Sequence, residues 1–232
     1  NIQDYFSAAT ASNGILVSAN SSAWTITGNR FFQTATRTST AGSTHRAINI
    51  ITAGGGGYAI NNNKIGYSAS AGTGITAYAG NFANRFIGIE LTVAATPVSG
   101  IQGDTVAAIT LTTTSGATIA PGIFAGISVL AGAVNIGSTT GNIVGASTGT
   151  GSISVTTTTT LPYFAGIYAR SANNVSIQNN TIGSLLTGGT ASIGYTFHGI
   201  NTAGAGSMTI SNNTIGSTTT ANSITVGISG TT

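Results

Sequence analysis

Cysteine is absent from the chain. Its absence excludes disulfide staples, thiolate metal sites and thiol nucleophiles. Charge is nearly absent too: 4% of the 232 residues are Asp, Glu, Lys or Arg, against about 25% in an average soluble domain. The three carboxylates are Asp4, Glu90 and Asp104, and the two histidines are His45 and His198. With so few acids, a catalytic carboxylate pair for glycoside hydrolysis has almost no candidates. A calcium cage, which needs several oxygen ligands with carboxylates among them, has fewer still. The six cations, Arg30, Arg37, Arg46, Lys64, Arg85 and Arg170, do not form a run, so the net charge of +3 does not describe a nucleic-acid footprint. Proline occurs three times and glycine has no period of three, which excludes a collagen helix. No apolar run reaches the ~18 residues of a membrane-spanning helix. The chain begins at Asn1 without a signal peptide, so a mature segment or a piece of a longer protein is expected.

What is present is glycine, 34 residues of it, together with Thr, Ser, Ala, Asn, Ile and Val. A chain so rich in β-branched residues and so poor in charge is not disordered. It is also repetitive. Phe164-Ala-Gly-Ile-Tyr-Ala runs on to Val175-Ser-Ile-Gln-Asn-Asn-Thr-Ile-Gly183, and Phe197-His-Gly-Ile-Asn-Thr runs on to Met208-Thr-Ile-Ser-Asn-Asn-Thr-Ile-Gly216. A third copy spans Ala47 to Gly66, a fourth Phe124 to Gly145, and weaker ones start near Gly14 and Ile87. Val226-Gly-Ile228 reads as the start of another. Within each copy apolar residues alternate with small or polar ones, the period of a strand with one buried face. No 3.6-residue period persists.

A repeat of uneven length built from such strands predicts an all-β, right-handed parallel β-helix, a β-solenoid of about six to seven irregular coils, over a single domain at 1–232. The usual crossover rule supplies the hand. Three strands per coil are expected: Gly-Ile, Val-x-Ile and the Thr-rich stretch. Stacking would align Ile15, Ile48, Ile89, Ile127, Ile167, Ile200 and Ile228 in one ladder and Ile65, Ile143, Ile182 and Ile215 in another. Phe86, Phe124, Phe164 and Phe197 would form an aromatic ladder. The pairs Asn62-Asn63, Asn179-Asn180 and Asn212-Asn213 would turn corners and stack their amides.

Val-Ser-Ile-Gln-Asn-Asn-Thr-Ile-Gly resembles the repeat of pectate-lyase-like parallel β-helices. With its Gly-Ile starts and Thr-rich loops the chain also looks like the repeat regions of giant surface proteins of gliding bacteria and their relatives, exported by the type IX route. The resemblance implies a secreted or cell-surface structural or adhesive rod, and because both ends of the chain look repeat-like, a fragment of a longer repeat protein is expected. Its implied partners are polysaccharide or surface glycans and, if the export route holds, the secretion or outer-membrane machinery. No cofactor, metal, nucleic acid or membrane span is expected. A carbohydrate-binding or carbohydrate-cleaving β-helix is the alternative.

Tyr67, Tyr78, Phe82 and Arg85 fall in an expected loop and form the candidate glycan-contact surface. Asp104-Thr105-Val106 fits a short O-glycosylation pattern, which makes Thr105 the candidate acceptor. Asn20, Asn174, Asn179 and Asn212 begin Asn-x-Ser/Thr sequences, most of them at expected corners, and read as chance. Gly145-Ala-Ser-Thr-Gly149 matches a nucleophile elbow, but no acid follows it in the chain. His198 is expected on the surface. The threonine run at 156–160 is expected in a loop, and a catalytic role is not expected at all.

Overall fold

A computed structural model describes residues 1–19, 21–114, 120–158, 162–189 and 195–229. Asn20 and the threonines at 159 and 160 lie outside the described residues. Among the described residues there is no helix. All strand pairings are parallel, and they build four sheets.

Sheet I holds Ser12–Val17, Thr44–Thr52, Arg85–Val93, Phe124–Ala131, Tyr163–Ala169 and Thr196–Thr202. Sheet II holds Thr25–Thr27, Ala59–Asn61, Ser99–Gln102, Val134–Ile136, Val175–Gln178 and Met208–Ser211. Sheet III holds Ile2–Gln3, Arg30–Phe32, Lys64–Gly66, Thr105–Ala107, Ile143–Gly145, Thr181–Gly183 and Thr214–Ile215. Sheet IV holds Arg37–Thr38, Thr76–Ala79, Ile109–Thr113, Ile153–Thr157, Leu185–Gly189 and Ile224–Ser229. The chain visits sheets I, II, III and IV in turn and then returns to I, so each repeat contributes one strand to each sheet. The architecture is that of a β-solenoid, an all-β stack of parallel sheets.

Four strands per repeat replace the three expected. The Asn-Asn corner divides what reads as one segment, because Asn62, Asn179 and Asn212 take left-handed φ values of 55°, 59° and 56°. Asn adopts that conformation at lower cost than other side-chain-bearing residues. The chain therefore bends between Val175–Gln178 and Thr181–Gly183.

Like stacks on like across the sheets. Ile15, Ile48, Ile89, Ile127, Ile167 and Ile200 are register partners in sheet I. In sheet II the ladder is Ile26, Ile60, Ile101, Ile136, Ile177 and Ile210. Each fully buried member, such as Ile48, Ile89, Ile60 and Ile101, contributes roughly 1.5–3 kcal/mol, while Ile210 at the end of its ladder is half exposed.

Two expected ladder members are corrected. Ile228 belongs to sheet IV, where its partner is Gly188, so Val226-Gly-Ile228 does not start a new repeat in sheet I. Ile143 pairs with Thr105 and Thr181, and Val144 takes its place between Val106 and Ile182. A shift of one residue exchanges the two faces of a strand. The sheet III ladder is therefore Phe31, Ile65, Val106, Val144, Ile182 and Ile215.

The glycine of each Gly-Ile start has a packing cause. A Cβ on Gly126 would come within 2.6 Å of Val144, one on Gly166 within 2.7 Å of Ile182, and one on Gly199 within 2.8 Å of Ile215. Sheet III's apolar ladder thus presses directly on sheet I's backbone. Thr156 and Thr157 lie in a strand of sheet IV and not in a loop.

Candidate functional site

The second residue of each Asn pair runs inward. Asn29, Asn63, Asp104, Asn142, Asn180 and Asn213 form one ladder at the corner between sheets II and III. Asn63 Oδ1 accepts from the backbone N–H and Nδ2 of Asn29, both at 3.0 Å. Asn180 Oδ1 accepts in the same way from Asn142, at 3.0 and 2.8 Å, and Asn213 Oδ1 from Asn180, at 2.9 Å twice. The amide nitrogens of Asn63, Asn142, Asn180 and Asn213 also donate to a carbonyl one coil back, as Asn142 does to Ile101 at 3.0 Å. The ladder satisfies backbone groups that the corner leaves unpaired.

Asp104 is the one carboxyl rung. It is 1% exposed, and its Oδ1 accepts from the N–H and Nδ2 of Asn63, both at 2.8 Å. Burial raises its pKa to about 6, although hydrogen bonds from Asn63 and the Gln102 backbone act in the opposite direction. Thr105, the candidate glycosylation acceptor, follows it on sheet III, half-buried between Lys64 and Ile143.

Glu90 lies elsewhere, on the outer face of sheet I, where its Oε1 meets Arg46 Nε at 2.9 Å. The structure therefore does not bring Glu90 and Asp104 together as a carboxylate pair. Asp4 accepts from the Thr34 backbone at 2.8 Å and from its hydroxyl, a clamp between two N-terminal turns. Among the described residues no group of three or more His, Cys, Asp or Glu side chains converges on a metal position.

The candidate contact loop is partly dismantled. Tyr78 sits in the sheet IV strand Thr76–Ala79 and points inward at 2% exposure, its hydroxyl donating to the Ser7 carbonyl at 2.8 Å. Its expected place in a loop is corrected, because Thr76-Ala-Tyr-Ala alternates as an interior strand does. Tyr67 is half-buried with a left-handed φ of 66°, and its carbonyl accepts from the Thr76 hydroxyl. Arg85 opens a sheet I strand and donates from Nε to the Gly122 carbonyl at 2.6 Å. Of the four, Phe82 alone is clearly exposed. Ser147 of the elbow-like sequence sits on an exposed turn, where its carbonyl accepts from Ser217 Oγ at 2.8 Å.

The two histidines differ. His198, on the outer face of sheet I, is half-buried with Nδ1 3.0 Å from the Tyr163 hydroxyl. His45 is buried and continues the aromatic ladder, in register with Phe86. Its ring lies 4.5 Å from that of Tyr78 and 5.1 Å from that of Phe6, and Nδ1 is 2.7 Å from Ser12 Oγ.

Burial, with a smaller contribution from Arg46, lowers the His45 pKa to about 4. The unfolded chain therefore takes up a proton before the folded one does. Stability from this group is present above about pH 6.5 and is lost as pH falls toward 4, by about 3 kcal/mol in full. His45→Phe should abolish that loss while extending the stack. Urea unfolding at pH 7 and pH 4.5 checks it: an unchanged acid sensitivity in the variant would refute the assignment.

Sequence reading missed both the His45 rung and the Asp104 rung. Aligning Thr44-His-Arg-Ala-Ile with Arg85-Phe-Ile-Gly-Ile reveals the first. Aligning Gly103-Asp-Thr-Val with Asn62-Asn-Lys-Ile reveals the second. A third feature has no sequence signal. A depression of about 580 Å³ lies along the outer face of sheet II, lined by Val98, Asn135, Asn173, Asn174, Ser176 and Thr209 among others, with no charged side chain.

No protein-family model, curated protein or solved structure matches the chain.

Proposed function

We propose that the chain is a right-handed parallel β-helix of about six to seven coils that serves as an extracellular structural or adhesive rod. On this reading it belongs to a longer, repeat-rich surface protein of the type IX-exported kind, and it catalyses no reaction. The observation that carries the proposal is the continuity of the ladders. The isoleucine, phenylalanine and asparagine columns run through successive coils. The residues able to do chemistry are taken up by structural contacts: Glu90 by Arg46, Asp104 by Asn63, His45 by the aromatic stack. Such a chain invests its polar groups in stiffness. The handedness rests on the general preference for right-handed parallel crossovers.

The neutral depression on sheet II supports a second reading, binding of an uncharged, extended glycan. Amide and hydroxyl groups beside exposed Val98 offer hydrogen bonds and an apolar contact without an electrostatic requirement. A panel of polysaccharides incubated with the purified chain tests both, scored for retention and for new chain ends. The rod reading expects no new ends on any polymer, and their appearance would overturn it. Retention that survives 1 M salt, roughly a 3 Å screening length, and is lost in Asn135→Trp would assign the glycan to sheet II.

A further inference from the structure

We propose that Asp104 is a protonated rung of the asparagine ladder, and that the proton it holds between adjacent coils makes the cohesion of the rod's middle respond to pH. In the inner amide rungs, Asn63, Asn142 and Asn180, Oδ1 accepts from the rung before and Nδ2 donates onward. Nδ2 also reaches a carbonyl one coil back: Asn63 to Ile26 at 3.0 Å, Asn142 to Ile101 at 3.0 Å, Asn180 to Ile136 at 3.1 Å, Asn213 to Ile177 at 2.8 Å.

Asp104 performs the accepting half of this pattern with Oδ1 and supplies its backbone N–H to Asn142 Oδ1 at 2.9 Å. It lacks the donating half. Its Oδ2 is buried with no hydrogen-bond partner among the described residues. Ladder equivalence sets that oxygen where the other rungs carry Nδ2, so it faces two acceptors, Asn142 Oδ1 and the carbonyl of Ile60, the register partner of Ile26 and Ile101, while the Gln102 backbone acts on the carboxyl in the opposite sense.

An ionised carboxylate there would set oxygen against oxygen in a buried corner, an unfavourable arrangement. A proton on Oδ2 converts it into the missing donor and makes Asp104 equivalent to an asparagine. A cation has no room, because the rungs already touch at 2.8–3.0 Å. Lys64 is the sole titratable side chain in the strands around this corner, Ala59–Asn61, Lys64–Gly66, Ser99–Gln102, Thr105–Ala107, Val134–Ile136 and Ile143–Gly145. A cation lowers a carboxyl pKa, so Lys64 does not hold the proton in place. Desolvation does, and the carboxyl is raised to about 6.

The direction of the effect follows. The folded state binds its proton more tightly than the unfolded state. The stability this rung contributes is complete below about pH 4 and is lost as pH rises through about 6. His45 works in the opposite sense over an overlapping range, so the two offset one another in the native chain and each is exposed when the other is replaced.

The test is urea unfolding of the wild-type and Asp104→Asn chains from pH 4 to pH 8, with a 13C titration of the Asp104 carboxyl carbon in the folded wild type. The His45 contribution is common to both chains and cancels in their difference. At pH 8 the unfolding constant of D104N should be roughly a hundred-fold smaller than that of the wild type, with the gap closing by about pH 4. The carboxyl carbon should titrate near 6. A gap that does not change with pH, a less stable D104N at pH 8, or a carboxyl midpoint at or below ~4, the ordinary aspartate value, would overturn the proposal. Should D104N not fold, the wild-type carboxyl midpoint decides alone.

Discussion

Replacing Asn180 with leucine should destabilise the fold by about 4 kcal/mol, through lost hydrogen bonds and not through lost volume. Asn180 Oδ1 accepts two bonds from Asn142, and its Nδ2 donates to Ile136 O at 3.1 Å and Asn213 Oδ1 at 2.9 Å. Leucine has nearly the same shape but leaves two donors of Asn142 without their acceptor, and takes one donor each from Ile136 O and Asn213 Oδ1, in a site 1% exposed. Each unpaired group costs roughly 1–3 kcal/mol, and local relaxation recovers part of the total. Ser176→Ala, on the outer face of the neighbouring strand, serves as the control and should change stability by less than about 0.5 kcal/mol.

Denaturant unfolding followed by circular dichroism measures both. A loss below about 1 kcal/mol in Asn180→Leu would mean that the ladder does not hold the corner. Should that chain not fold, Asn180→Asp supplies the measurement. Its protonated form rebuilds the ladder, so its loss relative to the wild type should be smaller at pH 4 than at pH 8, and an equal loss at both would count against the ladder.

Phe124→Ala should cost about 3–5 kcal/mol, the other large effect expected of this chain. Phe124 is fully buried between Phe86, 5.7 Å away, and Phe164, 4.7 Å away with the rings 12° from parallel. Alanine leaves a cavity that both neighbours are too constrained to fill, and it forfeits stacking worth about 0.5–1.5 kcal/mol beyond burial. Phe197 makes one such contact, with Phe164 at 5.6 Å, and is half-buried. Its alanine variant should lose less than half as much. Because solenoid coils couple mainly to their neighbours, hydrogen exchange should show the F124A loss concentrated in the sheet I strands that carry Phe86 and Phe164. Equal losses in the two variants would show that the aromatic column is not a continuous element of the core.

The sequence by itself determined the Gly-Ile and Val-x-Ile strands, their parallel stacking and most of the columns. Gly-Ile and Phe-x-Gly-Ile recur, and a repeat whose strands alternate apolar and polar side chains can bury its apolar face only against its own copies. The Asn pairs disclosed the corner because few other residues accept a left-handed φ there.

Tertiary structure alone decided the rest. Val144 and not Ile143 faces inward, since the number of residues taken by the preceding turn sets strand register, and composition does not record it. Tyr78 is interior because a short sheet IV strand runs through what reads as a loop. Glu90 and Asp104 are separated because one faces out from sheet I while the other stacks inside a corner. Asp104 is spelled as an ordinary carboxylate in the sequence. The neighbours above and below it, Asn63 and Asn142, come from about forty positions away in the chain, and it is their amides and its burial that make it a rung.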